Sequence, residues 1–347
     1  MNLRKVQDAD LNEKKVLVRV DFNVSLDEIG DVKEEFKIAA AKETVEYILS
    51  QRGKVALVSH FGRPGGEAKE EFSLEQLVND VERILGVKIK FVGDCLDENI
   101  GDELETLQDD EVLLLENVRF YAEEESNNAE FSKKLAVPFD VFVGEAFSVC
   151  HRDQASVTGV AKILPSYAGL WLQREVENLE KLRNNPEHPA VAIIGGAKIE
   201  TKLPLIHKFE ENFDYILVGG KIANEAIDQK IEFGKKVIFP VDFATDRLDI
   251  GKQTVANFRQ IISDAKTIVW NGPMGKFEEK PYDNGTNEIL DAVANSKAFT
   301  LTGGGESVEV LEEKGMTDEI SFVSTGGGAM LEFLSGEPMP GLEVLTK

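Results

Sequence analysis

Gly195-Gly196-Ala197-Lys198-Ile199-Glu200-Thr201-Lys202 follows directly on the apolar run Ala190 to Ile194, and this junction decides the fold class. An apolar run of that length, broken by two glycines and then by helix-permitting residues, reads as a buried parallel strand turning tightly into a helix. The glycines let backbone amides approach a ligand without an intervening side chain, and a helix N-terminus adds unpaired N–H groups and a partial positive charge. Lys198 and Lys202 are four apart, so in a helix they share a face from which both reach a phosphate. Taken singly, the junction reads equally well as an ordinary strand-to-helix turn with two solvated lysines.

Repetition decides between these readings. Tyr215 to Val218 runs into Gly219-Gly220, and Thr267 to Trp270 into Asn271-Gly272-Pro273-Met274-Gly275. Phe299 to Thr302 runs into Gly303-Gly304-Gly305, and Ile320 to Thr325 into Gly326-Gly327-Gly328. In an open α/β sheet these turns all lie at the carboxyl edges of the strands, where ligands bind. Together they imply a backbone-lined crevice for a large ligand, most simply a nucleotide. Neither G-x-x-x-x-G-K-[ST] nor G-x-G-x-x-G occurs, so the crevice is neither a P-loop nor a dinucleotide site.

The chain has 347 residues, enough for two domains, and 42% of them are hydrophobic, enough for real cores. Lys+Arg 39 against Asp+Glu 63 gives a net charge of −24. Such a chain repels nucleic acid and anionic membranes, so an anionic ligand must be held by a local concentration of basic groups. Cys95 and Cys150 have neither metal spacing nor a disulfide framework, and His60, His151, His188 and His207 form no metal-ligand pattern. Met1 to Asp8 is polar, and no apolar run approaches the ~18 residues of a membrane span. The expectation is a soluble, cytoplasmic monomer with small-molecule substrates, no nucleic acid and no membrane.

The first half repeats the strand-turn-helix pattern. Lys15 to Asp21 reads as the first buried strand and Phe36 to Gln51 as an amphipathic helix. Further strands are expected at Val55 to Ser59, Val112 to Glu116 and Asp140 to Val143, a shorter one at Val87 to Val92, and helices at Ser73 to Leu85 and Ala129 to Leu135. Such alternation gives a parallel sheet with helices on both faces. The strand ends carry Asp21 and Asn23, then His60, Gly62 and Arg63, then Asn117 and Arg119, then Glu145 followed by His151 and Arg152. Three arginines with His60 at one sheet edge suit a phosphate and a carboxylate, which guanidinium forks bind bidentately. Pro165 to Arg183 is amphipathic and reads as a helix that joins the halves as a hinge. Pro338 to Lys347 has too few apolar groups to form an element alone and is expected to pack elsewhere on the body.

The fold expected is therefore α/β: two doubly wound, Rossmann-like parallel-sheet domains joined by a hinge helix. The domains run 1–165, for the small anion, and 186–331, for the nucleotide, with the interdomain helix at 166–185 and a C-terminal segment at 332–347. One half holds a small anion and the other a nucleotide, which suggests phosphoryl transfer between them. That chemistry needs positioning, charge neutralisation and exclusion of water, and a carboxylate acceptor is already ionised at pH 7. Glu306, directly after Gly303-Gly304-Gly305, is placed to orient Mg²⁺ on the nucleotide. As the acid at a helix N-terminus it has an equally good structural reason to be there.

Six stretches, in order, resemble the signatures of the phosphoglycerate kinase family. They are Arg19-Val20-Asp21-Phe22-Asn23-Val24, Ser59-His60-Phe61-Gly62-Arg63-Pro64, Leu115-Glu116-Asn117-Val118-Arg119-Phe120, Gly195-Gly196-Ala197-Lys198, Trp270-Asn271-Gly272-Pro273-Met274-Gly275 and Ser324-Thr325-Gly326-Gly327-Gly328. The resemblance spans nearly the whole chain. It implies reversible phosphoryl transfer between 1,3-bisphosphoglycerate and ADP, giving 3-phosphoglycerate and ATP, with Mg²⁺ accompanying ADP or ATP. It implies that the C-terminal segment returns to the N-terminal domain. By motif, Asp21, Asn23, Lys37, His60, Arg63, Arg119 and Arg152 would bind the phosphoglycerate. Lys198 and Lys202 would contact nucleotide phosphates. Gly195, Gly196, Ala197, Gly219, Gly220, Asn271, Gly272, Pro273, Gly303, Gly304, Gly305, Glu306 and Ser307 would complete the nucleotide site, with Glu278 on the ribose. Lys37, Lys198, Gly304 and Gly327 would act at the transferring group.

Some positions depart from the family pattern. Lys37 stands where the family usually has an arginine that helps stabilise the transferring phosphoryl group, and it keeps the charge without the planar fork. Glu306 replaces the usual aspartate, Gln154 a common histidine, Gly144-Glu145 the typical Asn-Asp, and Lys221 the third glycine of a triplet. The segment between Gly220 and Pro240 is shorter than the family norm. These departures motivate one alternative, a catalytically weakened or silent relative that binds nucleotide or phosphoglycerate. A nicotinamide-dependent dehydrogenase is a second, against which the missing dinucleotide fingerprint counts.

Overall fold

The computed structural model describes residues 1–27 and 30–347. Contacts divide the chain into one unit of Met1–Val176 with Pro338–Lys347 and a second of Glu177–Glu337.

The first unit is built on β1 (Lys15–Arg19), β2 (Lys54–Val58), β3 (Lys88–Val92), β4 (Glu111–Leu115), β5 (Val141–Gly144) and β6 (Ser166–Ala168). They form one sheet in the order β3-β4-β2-β1-β5-β6, every pair parallel. The central strands are apolar on both faces: Val16, Leu17, Val55, Leu57, Leu113 and Leu114 are fully buried, as a sheet covered on both sides requires. The edge strand β3 alternates instead and puts Lys88 and Lys90 toward solvent, which protects its open hydrogen-bonding edge. The chain runs from β1 outward through β2 and then resumes on the other side of β1 at β5, so the strand order reverses between β1 and β5.

The second unit has β7 (Ala190–Ile194), β8 (Tyr215–Val218), β9 (Val237–Ile238), β10 (Thr267–Asn271), β11 (Phe299–Gly303) and β12 (Phe322–Ser324). Their order is β12-β11-β10-β7-β8-β9, again all parallel. All five residues of β7 are buried. Here the order reverses between β7 and β10, which places the Gly195-Gly196 turn and the Asn271–Gly275 turn side by side at the switch point.

Two expected elements differ in the structure. Pro165 to Arg183 is not one helix, because Ser166–Ala168 pairs with β5 as strand β6 and the helix begins only at Leu170. Gly169 makes the turn, and its N–H donates to Gly144 O at 2.9 Å. The buried carboxylate of Glu145 caps the new helix by accepting from Trp171 N at 3.0 Å and Leu172 N at 3.1 Å, and burial pushes its pKa up to about 8. The expected helix Phe36 to Gln51 is divided into Glu35–Ala39 and Lys42–Ser50, where Ala41 N bonds Ile38 O in a tightened turn. Pro338 to Lys347 does form an element, the short helix Pro340–Glu343, and Thr346 bridges to Leu3.

Candidate functional site

In the first unit the ends of β1, β2, β4 and β5 converge through their own polar groups. Asp21 accepts from Asn23 N at 3.1 Å and from Ser148 Oγ at 2.6 Å, joining the loops after β1 and β5. Asn23 Oδ1 accepts from Gly62 N at 2.8 Å, and Asn23 O accepts from Lys37 Nζ at 3.1 Å. Lys37 is also paired with Glu34 Oε1 at 2.8 Å. Arg119 Nη1 donates to Gly62 O at 2.9 Å, which fixes the loop that carries the exposed Arg63. The buried Asn117 donates to Phe61 O and Phe72 O, so the loop after β4 holds the loop after β2. Arg152 Nε donates to His151 Nε2 at 3.1 Å.

These bonds assemble an excess of positive charge. Burial, then the charges of Arg19, Arg119, Arg152 and Lys37, holds His60 well below the usual histidine range. Burial, then the charges of Arg152 and Arg19, lowers Arg119 to about 10, and its Nη2 is buried without a hydrogen-bond partner among the described residues. Glu125 Oε1, 3.4 Å from Arg119 Nε, offsets part of this charge, and the guanidinium groups still crowd one another enough to favour an added anion.

Arg19 was not expected as a functional residue, and it organises this cluster from behind. Its guanidinium is buried and donates to Ser156 Oγ at 2.8 Å, to Val20 O at 2.5 Å and to His60 Nδ1 at 3.2 Å. A guanidinium has no acceptor, so Nδ1 of His60 accepts and the ring proton sits on Nε2. The one signal in the sequence is a charged residue ending the apolar run of β1. We expect nitrogen-resolved NMR to show His60 as the neutral Nε2–H tautomer from about pH 6 to 8. An imidazolium at the lower pH would contradict this arrangement.

In the second unit, one cleft of about 390 Å³ gathers Lys198, Lys202, Asn271, Glu306, Ser307 and the glycine turns at 195–196, 272, 304–305 and 327–328. Helices Ile199–Asn212, Gly305–Lys314 and Gly328–Ser335 all begin at this cleft, so three positive dipole ends meet there. Lys198 is the residue before its helix, in the left-handed conformation with φ 67°, and not on the helical face shared with Lys202. The two still line the same cleft. Lys202 Nζ is bonded to Asn271 Oδ1, whose amide donates to Gly303 O at 2.5 Å. Burial lowers Lys202 to about 8, opposed by the charge of Glu306. Gly272 N donates to Ser307 Oγ at 2.7 Å.

A second cleft of about 280 Å³ shares Gly196, Ala197 and Glu306 with the first and adds Lys221, Asn224, Arg247, Leu248, Pro273, Phe277 and Glu278. Its lining sets Ala197, Leu248, Pro273 and Phe277 beside charged and amide side chains, apolar surface for a flat organic ring and polar groups to orient it. Gly219 and Gly220 line neither cleft. They pack behind the wall, where Gly220 N donates to Met274 O at 2.9 Å and a Cβ on Gly220 would lie 2.7 Å from Pro273 O.

A family model described as phosphoglycerate kinase matches residues 6–246 and 240–337. The chain belongs to the phosphoglycerate kinase family. The phosphoglycerate kinase of Moorella thermoacetica is 39% identical over 388 residues, covering 99% of this chain and 98% of the relative. A solved phosphoglycerate kinase from Coxiella burnetii superposes with a TM-score of 0.83 at 32% identity, covering 99% of each chain. One from Pyrococcus horikoshii gives 0.88 at 29%, covering 99% of this chain and 98% of the other. As a phosphoglycerate kinase the chain is a phosphotransferase that acts on small-molecule substrates, one of them a nucleotide.

Proposed function

We propose that this enzyme transfers a phosphoryl group reversibly between 1,3-bisphosphoglycerate and ADP, giving 3-phosphoglycerate and ATP. The observation that carries this reading is the pairing, in one chain of this family, of a crowded cationic cluster with a glycine-lined cleft at a topological switch point. Arg119, Arg152, Arg63, His60 and Asn23 hold the phosphoglycerate. His60 serves as a neutral donor through Nε2. Asp21 acts on the substrate and fixes the loop after β5 through Ser148.

The nucleotide lies across the two clefts of the second unit. Its phosphates face Lys198, Lys202 and the turns at 195–197, 272–273 and 303–305, whose glycines let them approach the backbone. Glu278 faces the ribose. Transfer proceeds when a carboxylate oxygen of the phosphoglycerate attacks the γ-phosphorus in line with the departing ADP oxygen. Lys198 and the amides at Gly304 and Gly327 take up the charge of the moving group, and Lys37 adds a cation from the substrate side. The helix Leu170–Asn184 is the hinge, the enzyme works as a monomer, and its setting is the cytoplasm. No helix among the described residues is long and apolar enough to cross a membrane.

Mg²⁺ travels with the nucleotide. Among the described residues no three His, Cys, Asp or Glu side chains stand together as a metal cage. Glu306, lining both clefts, offers a single carboxylate, and Mg²⁺ bound mainly through nucleotide phosphates needs no more than one or two. When bound, the ion neutralises phosphate charge. Nothing among the described residues favours a weakened or silent relative.

The test is an assay with ATP, Mg²⁺ and 3-phosphoglycerate, coupled to NADH oxidation by glyceraldehyde-3-phosphate dehydrogenase. Lys37 supplies its sharpest arm. Its ammonium is already anchored on Asn23 O and Glu34, so the charge sits beside the substrate groups without arginine's fork. Lys37→Arg is expected to preserve or raise kcat, and Lys37→Ala to lower it by at least about tenfold, about 1.4 kcal/mol in the barrier. An unchanged Lys37→Ala variant would remove Lys37 from the mechanism.

A further inference from the structure

The family match is split into two stretches that overlap at residues 240–246, and relatives align with this chain of 347 residues over 388 or more positions. Positions present in the relatives are therefore missing here. The turn Thr245–Arg247 stands at that junction, with Asp246 at φ 61° and Arg247 at φ 60°. Two successive non-glycine residues in the left-handed region persist only where surrounding contacts hold them.

Arg247 supplies those contacts. Its Nε donates to Asn224 Oδ1 at 3.1 Å, its Nη2 to Asn224 O at 3.3 Å and its Nη1 to Asp228 Oδ1 at 2.8 Å. Asn224 Nδ2 returns a bond to Arg247 O at 2.8 Å, and the guanidinium carbon stands 5.3 Å from the centre of the Phe243 ring. Side chain and backbone of one residue are thus tied to helix Gly220–Asp228. The next residue, Leu248, accepts from Lys276 N at 2.7 Å, and Gly285 N donates to Asp249 Oδ2 at 2.7 Å. The turn is pinned to two of the chain segments that line the smaller cleft, those of Asn224 and of Lys276, and Asn224, Arg247 and Leu248 are themselves part of that lining.

We propose that Arg247 is a positioning residue for the nucleoside end of the nucleotide. Its clamp on Asn224 and Asp228 builds a wall of the nucleoside cleft where the chain is shortened. This rests on the reading of that cleft as part of the nucleotide site. The clamp lies away from the transferring phosphate, so it contributes equally to ground-state and transition-state binding, and its loss appears in KM alone.

Steady-state kinetics with ATP and with 3-phosphoglycerate varied separately test this. Arg247→Ala is expected to raise KM for ATP about tenfold, with kcat and KM for 3-phosphoglycerate within about twofold of the unaltered enzyme. Arg247→Lys keeps charge but loses the fork, and is expected to behave as Arg247→Ala. Asn224→Ala is expected to match Arg247→Ala, with the double variant no worse than either, because the two act as one unit. If Arg247→Ala misfolds, the Lys and Asn224 variants carry the same expectation. An unchanged KM for ATP in an active enzyme overturns the proposal while leaving the kinase reading intact, and so does a loss of kcat alone or an equal rise in both KM values. No turnover by the unaltered enzyme overturns both.

Discussion

Replacing Lys198 by alanine is expected to lower turnover about 10³-fold, about 4 kcal/mol in the barrier, with the melting temperature unchanged. Lys198 is exposed and lines the cleft of about 390 Å³, and its backbone O accepts from Thr201 N at 3.2 Å and from Thr201 Oγ1 at 2.8 Å. Those bonds fix the turn and do not depend on the ammonium. The left-handed backbone at φ 67° is equally strained for lysine and alanine, so the exchange leaves the fold as it was. What disappears is a cation held at the place where three helix N-termini meet. A loss smaller than about tenfold in kcat, with the protein folded, would mean that the amides and Lys202 alone neutralise the transferring group.

The second large effect is on stability. Gly272→Ala is expected to destabilise the second unit by about 3 kcal/mol or more, read by urea unfolding followed through Trp270. Gly272 has φ 91°, and a Cβ there would meet the backbone of Gly195 and lie 2.9 Å from Gly196 N. The obstruction is main chain of the neighbouring strand end and cannot rotate away. Gly305→Ala, at another turn of the same cleft, has nothing within 4 Å of the new Cβ and no positive φ, and is expected within about 0.5 kcal/mol of the unaltered protein. Equal stability of the two variants would refute the close backbone packing between β7 and β10.

These two glycines show what was legible in the sequence. The apolar runs gave β7, β8, β10 and β11 to within a residue, because strands buried on both faces must be continuous and apolar, and the glycine turns marked their carboxyl ends. Which two turns stand side by side was not legible, since that depends on strand order and the sequence pattern is the same for any order. The Pro165 stretch misled for a related reason. Three residues at a sheet edge carry too short a pattern to compete with the helical periodicity that follows, and strand β6 emerges only from its pairing with β5.

The charged residues at strand ends were visible as an anion site, but their support was not. Arg19 looked like the polar end of an apolar run, and its bond to His60 Nδ1 depends on burial in three dimensions. Arg247 is less legible still, because an arginine in a left-handed turn carries no sequence signature, and its partners Asn224 and Asp228 lie about 20 residues earlier. The expectation that Lys198 and Lys202 share a helix face failed because the glycine turn extends one residue further and leaves Lys198 outside the helix.

The enzyme passes the γ-phosphoryl group of ATP to a carboxylate. Incubating the enzyme with ATP, Mg²⁺, 3-phosphoglycerate and hydroxylamine tests it most directly, since an acyl phosphate is trapped as a hydroxamate. Hydroxamate is expected to form in step with ADP, dependent on 3-phosphoglycerate and lost with Lys198→Ala. ADP and free phosphate without hydroxamate would show that water is the acceptor and would contradict it.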